Sequence, residues 1–196
     1  MVKNNLPEEY EEIKQINLVN DKKTACLVNA MSFVIMIVMI LIGGVAYGYD
    51  NLKEMLLLTD KSKLNPFVIH ISIVILMCVA YLTLHEAVHA LVMKLCSKGA
   101  KVKLGLNMHY SYAGSDAYYN KVSYELISAA PLLFFGILLT VLCMIAPTRH
   151  FWIFYTVQIL NFSVAAGDFY IFLIIARMPR DILINDSGTE VIVYGK

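Results

Sequence analysis

Four long apolar runs dominate the pattern of hydrophobic and polar positions along this chain. They cover residues 25–49, 66–96, 122–146 and 151–176, with polar or charged residues between them. A helix rises about 1.5 Å per residue, so about 20 apolar residues cross the roughly 30 Å hydrocarbon layer of a membrane. Each run is long enough for that, and the second is longer than a span needs. The pattern therefore predicts four transmembrane helices.

Two polar stretches carry shorter periodic patterns. In residues 1–24, the positions of Pro7, Tyr10, Ile13 and Ile16 predict a short helix lying on the membrane surface. Residues 101–113 alternate between apolar and polar positions, which predicts a strand, and residues 114–116 predict a turn after it. That strand either receives an extended substrate as an added strand or lies on the membrane surface, and the alternation favours neither.

These patterns predict an all-α membrane protein with about four transmembrane helices and a short cytoplasmic β-hairpin or strand. The hydrophobic content of 59% does not fit an ordinary soluble domain, and 196 residues are enough for one compact domain. We expect a cytoplasmic N-terminal segment 1–24 with the interfacial helix, a four-helix membrane-embedded domain 25–176, and a cytoplasmic tail 177–196.

The distribution of positive charge predicts how the chain is oriented. Twelve of the 16 lysine and arginine residues lie in segments 1–24, 94–121 and 177–196, which share one side of the membrane. The positive-inside rule therefore predicts a multi-pass protein of the cell membrane with both termini in the cytoplasm. The net charge of +1, without a concentrated basic patch, argues against a nucleic-acid partner. All four cysteines fall in apolar segments, and we expect them to be reduced.

One motif in the second apolar run contains residues that can bind a metal ion and catalyse a reaction. His85, Glu86 and His89 have the H-E-x-x-H spacing of zinc peptidases. Residues four apart share a helix face, so His85 and His89 can each offer one nitrogen to a single metal ion. Glu86 lies about 100° around the helix, beside the metal, where it can act on a metal-bound water.

A catalytic zinc site needs a third protein ligand, and Asp168 is the best candidate. His85 lies about 28 Å from the start of the second run, and Asp168 lies about 26 Å from the start of the fourth. Because both runs are predicted to cross in the same direction, the two residues lie at similar depth near the cytoplasmic face. His109 competes with Asp168 for this role, whereas Glu125 lies near the cytoplasmic start of the third run, where it faces water.

Asn161 lies seven residues before Asp168, two helical turns back on the same face. Its amide can hydrogen-bond a substrate carbonyl or a developing oxyanion. The alternative is a hydrogen bond between two transmembrane helices, and the spacing fits both interpretations.

Several segments resemble the site-2-protease-like intramembrane metallopeptidases. The matching segments are His85-Glu86-Ala87-Val88-His89-Ala90-Leu91, Ser128-Ala129-Ala130-Pro131-Leu132-Leu133, and Asn161 through Gly167-Asp168. Within that group the chain is most similar to a short bacterial family of zincin peptidases, a domain of unknown function, over roughly residues 8–194. The resemblance implies membrane-embedded, zinc-dependent peptide hydrolysis with His85, His89 and Asp168 as ligands and Glu86 as general base.

Three functions follow from these residues. The first is an intramembrane zinc endopeptidase that acts on a membrane protein or peptide and contacts the lipid bilayer, as a monomer or a homodimer. The second is a zinc-binding scaffold, immunity factor or regulator that does not cleave peptides. The third is a transporter, against which four spans without internal repeats and acids clustered at one depth argue.

Overall fold

The computed structural model describes the whole chain except residues 1, 4, 19, 51, 54–63, 98 and 107–110. Strand β1 (Glu11–Ile16) precedes helices α1 (Lys22–Tyr47) and α2 (Leu64–Cys96). Strands β2 (Val102–Leu106), β3 (Ser111–Ser115) and β4 (Tyr118–Asn120) lead into α3 (Lys121–Ile145). Helices α4 (Phe151–Val164) and α5 (Ala166–Ala176) and strands β5 (Ile182–Asp186) and β6 (Val191–Gly195) complete the fold.

The four apolar runs all form helices, as predicted. Among the described residues, four helical stretches are long and apolar enough to cross a membrane, and their bounds are Lys22–Tyr47, Phe67–Cys96, Lys121–Ile145 and Phe151–Ala176. Large apolar side chains lie exposed along them, such as Leu76, Ile137 and Met144. Exposed apolar surface of this extent is what a lipid-facing protein carries. The fold is compatible with a multi-pass membrane protein.

The fourth run differs from its prediction, because it is two helices and not one. Helix α4 ends at Val164 and α5 begins at Ala166, with Ala165 between them at φ −65° and ψ 0°. The amide of Ala165 donates to the carbonyl of Asn161, and the amide of Phe169 donates to the carbonyl of Ala165. The chain thus stays close to helical through the break.

The predicted interfacial helix near the N-terminus is wrong. Residues 11–16 form β1, which pairs antiparallel with β6 from Glu11 opposite Gly195 to Ile16 opposite Val191. Only Ile16 of this strand is buried. The helical spacing of Tyr10, Ile13 and Ile16 was a weak local signal, and pairing with a distant strand overrides it.

A four-stranded antiparallel sheet in the order β1-β6-β5-β4 was not predicted. It includes most of the segment predicted as a tail, because β5 and β6 form a hairpin with Ile182 opposite Gly195. Strand β4 leads directly into α3, so the sheet is attached to the helices. Its buried side chains join those of α2, α3 and α5 in one core, which includes Met93, Tyr119, Ile127, Ile175, Ile184 and Val193.

The strand predicted in residues 101–113 is confirmed in part, because residues 102–106 and 111–113 belong to two strands of a hairpin. Strands β2 and β3 pair antiparallel, with Val102 opposite Ser115 and Leu106 opposite Ser111. The turn predicted at residues 114–116 is wrong at its start, because Gly114 and Ser115 belong to β3. The connection of the hairpin falls in residues 107–110, so His109 lies outside the described residues.

Candidate metal centre

Helix α2 carries His85 and His89 on one face, because residues four apart on a helix lie one above the other. Both residues are buried, with 2% and 8% of their surface exposed. Their ring centroids lie 5.0 Å apart and the ring planes are inclined by 75°. The two rings are therefore held as a fixed pair inside the protein.

Helix α5 carries Asp168 in its first turn, where the helix dipole favours a carboxylate. The Oδ2 atom of Asp168 lies 3.1 Å from Nε2 of His85 and 3.3 Å from Nε2 of His89. The three potential ligand atoms lie within 4.8 Å of one another. The structure thus brings together the three residues that the sequence predicted as metal ligands.

Helix α3 fixes the ring of His89 through its backbone. The Nδ1 atom of His89 lies 2.9 Å from the carbonyl oxygen of Ile127. In a regular helix that carbonyl accepts from the amide of residue 131, but residue 131 is proline and has no N–H. Because a carbonyl only accepts, Nδ1 of His89 carries the ring proton and donates it. Pro131 therefore leaves a backbone acceptor free for the histidine.

The donor set fits a zinc ion. With its proton on Nδ1, a neutral His89 presents the Nε2 lone pair toward the Asp168 carboxylate 3.3 Å away, where a metal cation would bind both atoms. Two imidazole nitrogens and one carboxylate oxygen are a ligand set that catalytic zinc uses, with a fourth position left for water. The residues that would hold zinc are His85, His89 and Asp168.

A chain of side chains contacts the far side of His85. The Nδ1 atom of His85 lies 2.8 Å from the hydroxyl of Tyr81, which also donates to Oδ1 of Asn161 over 3.0 Å. Asn161 is fully buried, and its Nδ2 atom lies 3.5 Å from the carbonyl oxygen of Leu132. These contacts join α2, α3 and α4. Asn161 therefore makes hydrogen bonds between helices, which is the alternative interpretation given above for its amide.

Glu86 lies beside the three-residue group. It lines the same cavity as His85, His89 and Asp168. The backbone of Ala113 on β3 hydrogen-bonds its carboxylate. Strand β3 thus positions Glu86 from outside α2, which the sequence did not indicate.

A cavity of about 430 Å³ opens over the site. One wall of the cavity is formed by His85, Glu86, His89 and Asp168. Another is formed by Asp186 and Glu190 from the β5–β6 hairpin. Helix α1 contributes further lining side chains, among them Val28, Asn29 and Ser32. The volume is that of a small-ligand pocket, so the cavity can hold a few residues of an extended peptide.

Asp186 is a cavity residue that sequence reasoning missed. Its Oδ2 accepts from the hydroxyl of Tyr124 over 2.7 Å, and its Oδ1 accepts from the amide of Gly188 over 2.8 Å. Burial raises the pKa of the Asp186 carboxyl from 3.8 to about 6. The turn-forming residues 186–188 between two alternating stretches were a signal for a hairpin. Nothing in the sequence indicated that this hairpin reaches the metal site.

Two glycines let the β5–β6 turn pack directly against β3. A Cβ atom at Gly114 would lie 2.2 Å from the carbonyl oxygen of Ser187. Gly188 has φ +88°, and a Cβ atom there would lie 2.3 Å from the ring of Tyr112. Both positions therefore exclude any side chain, and the contact joins β3 to the β5–β6 turn beside the cavity.

Glu125, His70 and His150 lie outside this site. Glu125 is 3.9 Å from Lys121 in an ion pair on α3. The rings of His70 and His150 stack on each other with their centroids 6.3 Å apart. Gly167, next to Asp168, faces the side chain of Leu18, which lies 3.2 Å from where a Cβ atom of Gly167 would be.

Comparison with curated proteins and with solved structures finds no match. Comparison with family models finds one over residues 78–183, more than half of the 196-residue chain. That segment contains the two histidines, Glu86 and Asp168, whereas Asp186 and Glu190 follow it. The chain belongs to the family described as "Putative zincin peptidase".

Proposed function

We propose that the protein is a membrane-embedded, zinc-dependent endopeptidase. Its substrate is a membrane-associated protein, cleaved near the cytoplasmic face of the cell membrane. The observation that carries this proposal is the convergence of His85, His89 and Asp168, with Glu86 lining the same cavity. Membership of the zincin peptidase family supports zinc as the metal and peptide hydrolysis as the reaction.

The roles of the residues follow from their positions. His85, His89 and Asp168 would hold the zinc ion, which when bound would lower the pKa of a water molecule and polarise the scissile carbonyl. Glu86 would accept a proton from the attacking water as the water oxygen bonds to the carbonyl carbon. When the carbon–nitrogen bond breaks, Glu86 delivers the proton to the leaving nitrogen. The hydrogen bond from Ala113 keeps the Glu86 carboxylate turned toward the cavity.

The location of the site supports hydrolysis within the membrane. His85 and His89 lie in the second apolar helix, and Asp168 lies in the fourth. The six strands that the structure describes lie in the segments that carry most of the lysine and arginine residues. The positive-inside rule makes this the cytoplasmic side, and the site lies close to it. Water then reaches the cavity from the cytoplasm without crossing the bilayer.

The substrate segment must be extended when it enters the cavity. The carbonyls of a transmembrane helix are hydrogen-bonded within the helix, and lipid offers no other donor. An unwound segment beside β3 exposes its scissile carbonyl to the site. The resemblance to site-2-protease-like enzymes supports this mode of action.

The experiment compares Glu86→Gln with wild type in the full-length, detergent-purified protein. We measure zinc content, labelling by a hydroxamate-based photoprobe, and cleavage of a quenched fluorogenic peptide library in phosphatidylcholine vesicles. Glu86→Gln is expected to keep its zinc and lose cleavage. Glu125→Gln is the matched control, because it removes an acid of α3 outside the cavity, and it should behave as wild type.

Two results contradict the proposal. Full cleavage by Glu86→Gln removes Glu86 from the mechanism. Stoichiometric zinc in a wild-type protein that neither cleaves nor takes up the photoprobe supports the alternative, a zinc-binding protein that does not hydrolyse peptides.

A further inference from the structure

Three hydrogen bonds form a line from the backbone of α3 to His85. They join the carbonyl of Leu132 to Asn161, Asn161 to Tyr81, and Tyr81 to Nδ1 of His85. Tyr81 has 3% of its surface exposed and Asn161 none, so water does not replace any of these bonds. The direction of each bond therefore decides where the proton of His85 lies.

The direction is set at the Leu132 end. A carbonyl oxygen only accepts, so the amide nitrogen of Asn161 faces Leu132 and its Oδ1 faces Tyr81. The hydroxyl of Tyr81 has one proton, which it donates to that Oδ1. Its oxygen can then only accept from the His85 ring. Nδ1 of His85 must carry a proton.

We propose that Tyr81 and Asn161 are positioning residues that hold the proton of His85 on Nδ1 and reserve its Nε2 lone pair for the metal. The inference rests on the proposed function, because it assigns roles around the same metal site. Neither residue touches the cavity. They act through His85, whose Nε2 lies 3.1 Å from Asp168 Oδ2.

The line of bonds opposes a competing arrangement. A His85 ring with its proton on Nε2 would donate directly to Asp168 at 3.1 Å and occupy the ligand atom. If Asn161 stopped accepting, the Tyr81 hydroxyl would be free to donate to Nδ1 and would favour that ring form. This line of bonds, which we call the relay, therefore disfavours the neutral form of His85 with its proton on Nε2. Partners of this kind typically change metal affinity by about 10–100-fold.

His89 also carries its ring proton on Nδ1, and a single hydrogen bond holds it there. Its Nδ1 donates directly to the Ile127 carbonyl that Pro131 leaves free. Both histidines thus use α3 as the source of an acceptor, one through two side chains and the other directly. This common origin explains why a tyrosine and an asparagine are buried together among transmembrane helices, where unpaired polar groups are costly.

The experiment measures cobalt(II) binding to the detergent-purified full chain by its visible d–d absorption. Tyr81→Phe and Asn161→Leu are each expected to weaken cobalt binding by about 10–100-fold and to change the spectrum. The double variant should bind no more weakly than Tyr81→Phe alone, because Asn161 acts only through Tyr81. Tyr155→Phe is the matched control, since its buried hydroxyl donates to the Met39 carbonyl over 2.7 Å, and it should bind as wild type.

The other possible results contradict either the positioning role of Tyr81 and Asn161 or the proposed function. Wild-type affinity in Tyr81→Phe, or additive losses in the double variant, rejects the relay. Normal cobalt binding by Asn161→Leu with a raised KM assigns Asn161 to substrate and also rejects it. If Tyr81→Phe does not fold, as judged by circular dichroism, Asn161→Leu alone decides by the same criterion. A wild-type protein that binds no cobalt or zinc rejects the proposed function itself.

Discussion

The helical wall and the strand wall of the cavity are built in different ways. The helical wall places His85, His89 and Asp168 around one point, and the polar atoms behind the rings belong to other helices. The strand wall comes from β3 and the β5–β6 hairpin, which pack on each other through glycines. The first wall therefore groups the candidate metal ligands, and the second shapes the cavity over them.

The largest expected effect tests the helical wall. Asp168→Ala removes the oxygen that faces both histidines, so zinc content should fall from stoichiometric to background and cleavage should vanish. Zinc is measured by plasma emission spectroscopy on purified protein. Asp181→Ala, an exposed acid outside the cavity, is the control and should retain its zinc. Equal zinc in the two variants would show that the helical wall does not need Asp168.

A smaller effect is expected from the strand wall. Gly114→Ala places a methyl group 2.2 Å from the Ser187 carbonyl, so β3 and the β5–β6 turn must separate. Overpacking of this kind costs about 1–3 kcal/mol. We expect reduced cleavage and a lower midpoint of thermal unfolding, with zinc content unchanged.

Gly136→Ala is the control for that variant. A Cβ atom at Gly136 meets its nearest neighbour, Nδ2 of Asn161, at an ordinary 3.7 Å. Loss of zinc from Gly114→Ala would show that the two walls are not separate in function.

The smallest expected effect is a pH dependence of the strand wall. Burial raises the pKa of Asp186 from 3.8 to about 6, so the folded protein binds the proton more tightly than the unfolded chain. Its contribution to stability is complete below pH 3.8 and is lost as the pH rises to about 6.

Asp186→Asn tests this dependence, because the amide oxygen still accepts from Tyr124 and does not titrate. We expect the metal-free variant to lose less stability than wild type between pH 4 and 6, measured by thermal unfolding in detergent. Parallel curves for the two proteins would remove Asp186 from the titration. Zinc should lower the pKa of this carboxyl in wild type, since the cation favours its charged form.

The residues of the helical wall could be predicted from the sequence, because the prediction needs only the spacing of residues on one helix and their distance along another. The spacing of His85 and His89 is a property of one helix, and the depth of Asp168 follows from counting residues along another. The role of Tyr81 could have been suspected, since it lies one turn before His85, but its partner Asn161 is on a distant helix. Pro131 was visible in the sequence, whereas the carbonyl that it frees was not.

The strand wall could not be predicted because its contacts join distant segments. Strand β1 pairs with β6 and β4 with β5, and short strands carry little signal until the partner is known. The helical spacing around Ile13 therefore gave the wrong element for residues 11–16. Asp186 was missed for the same reason, because its place beside Tyr124 depends on how the sheet packs against α3.

The pairing of β1 with β6 has a consequence for the order of biogenesis. Glu11 lies opposite Gly195, so this sheet cannot close until residue 195 has left the ribosome. By then all four apolar helices have been synthesised and are available to the insertion machinery. Contacts so distant in sequence form late. His85, His89 and Asp168 are thus all synthesised before the strand wall can form, and a nascent chain holds an incomplete cavity.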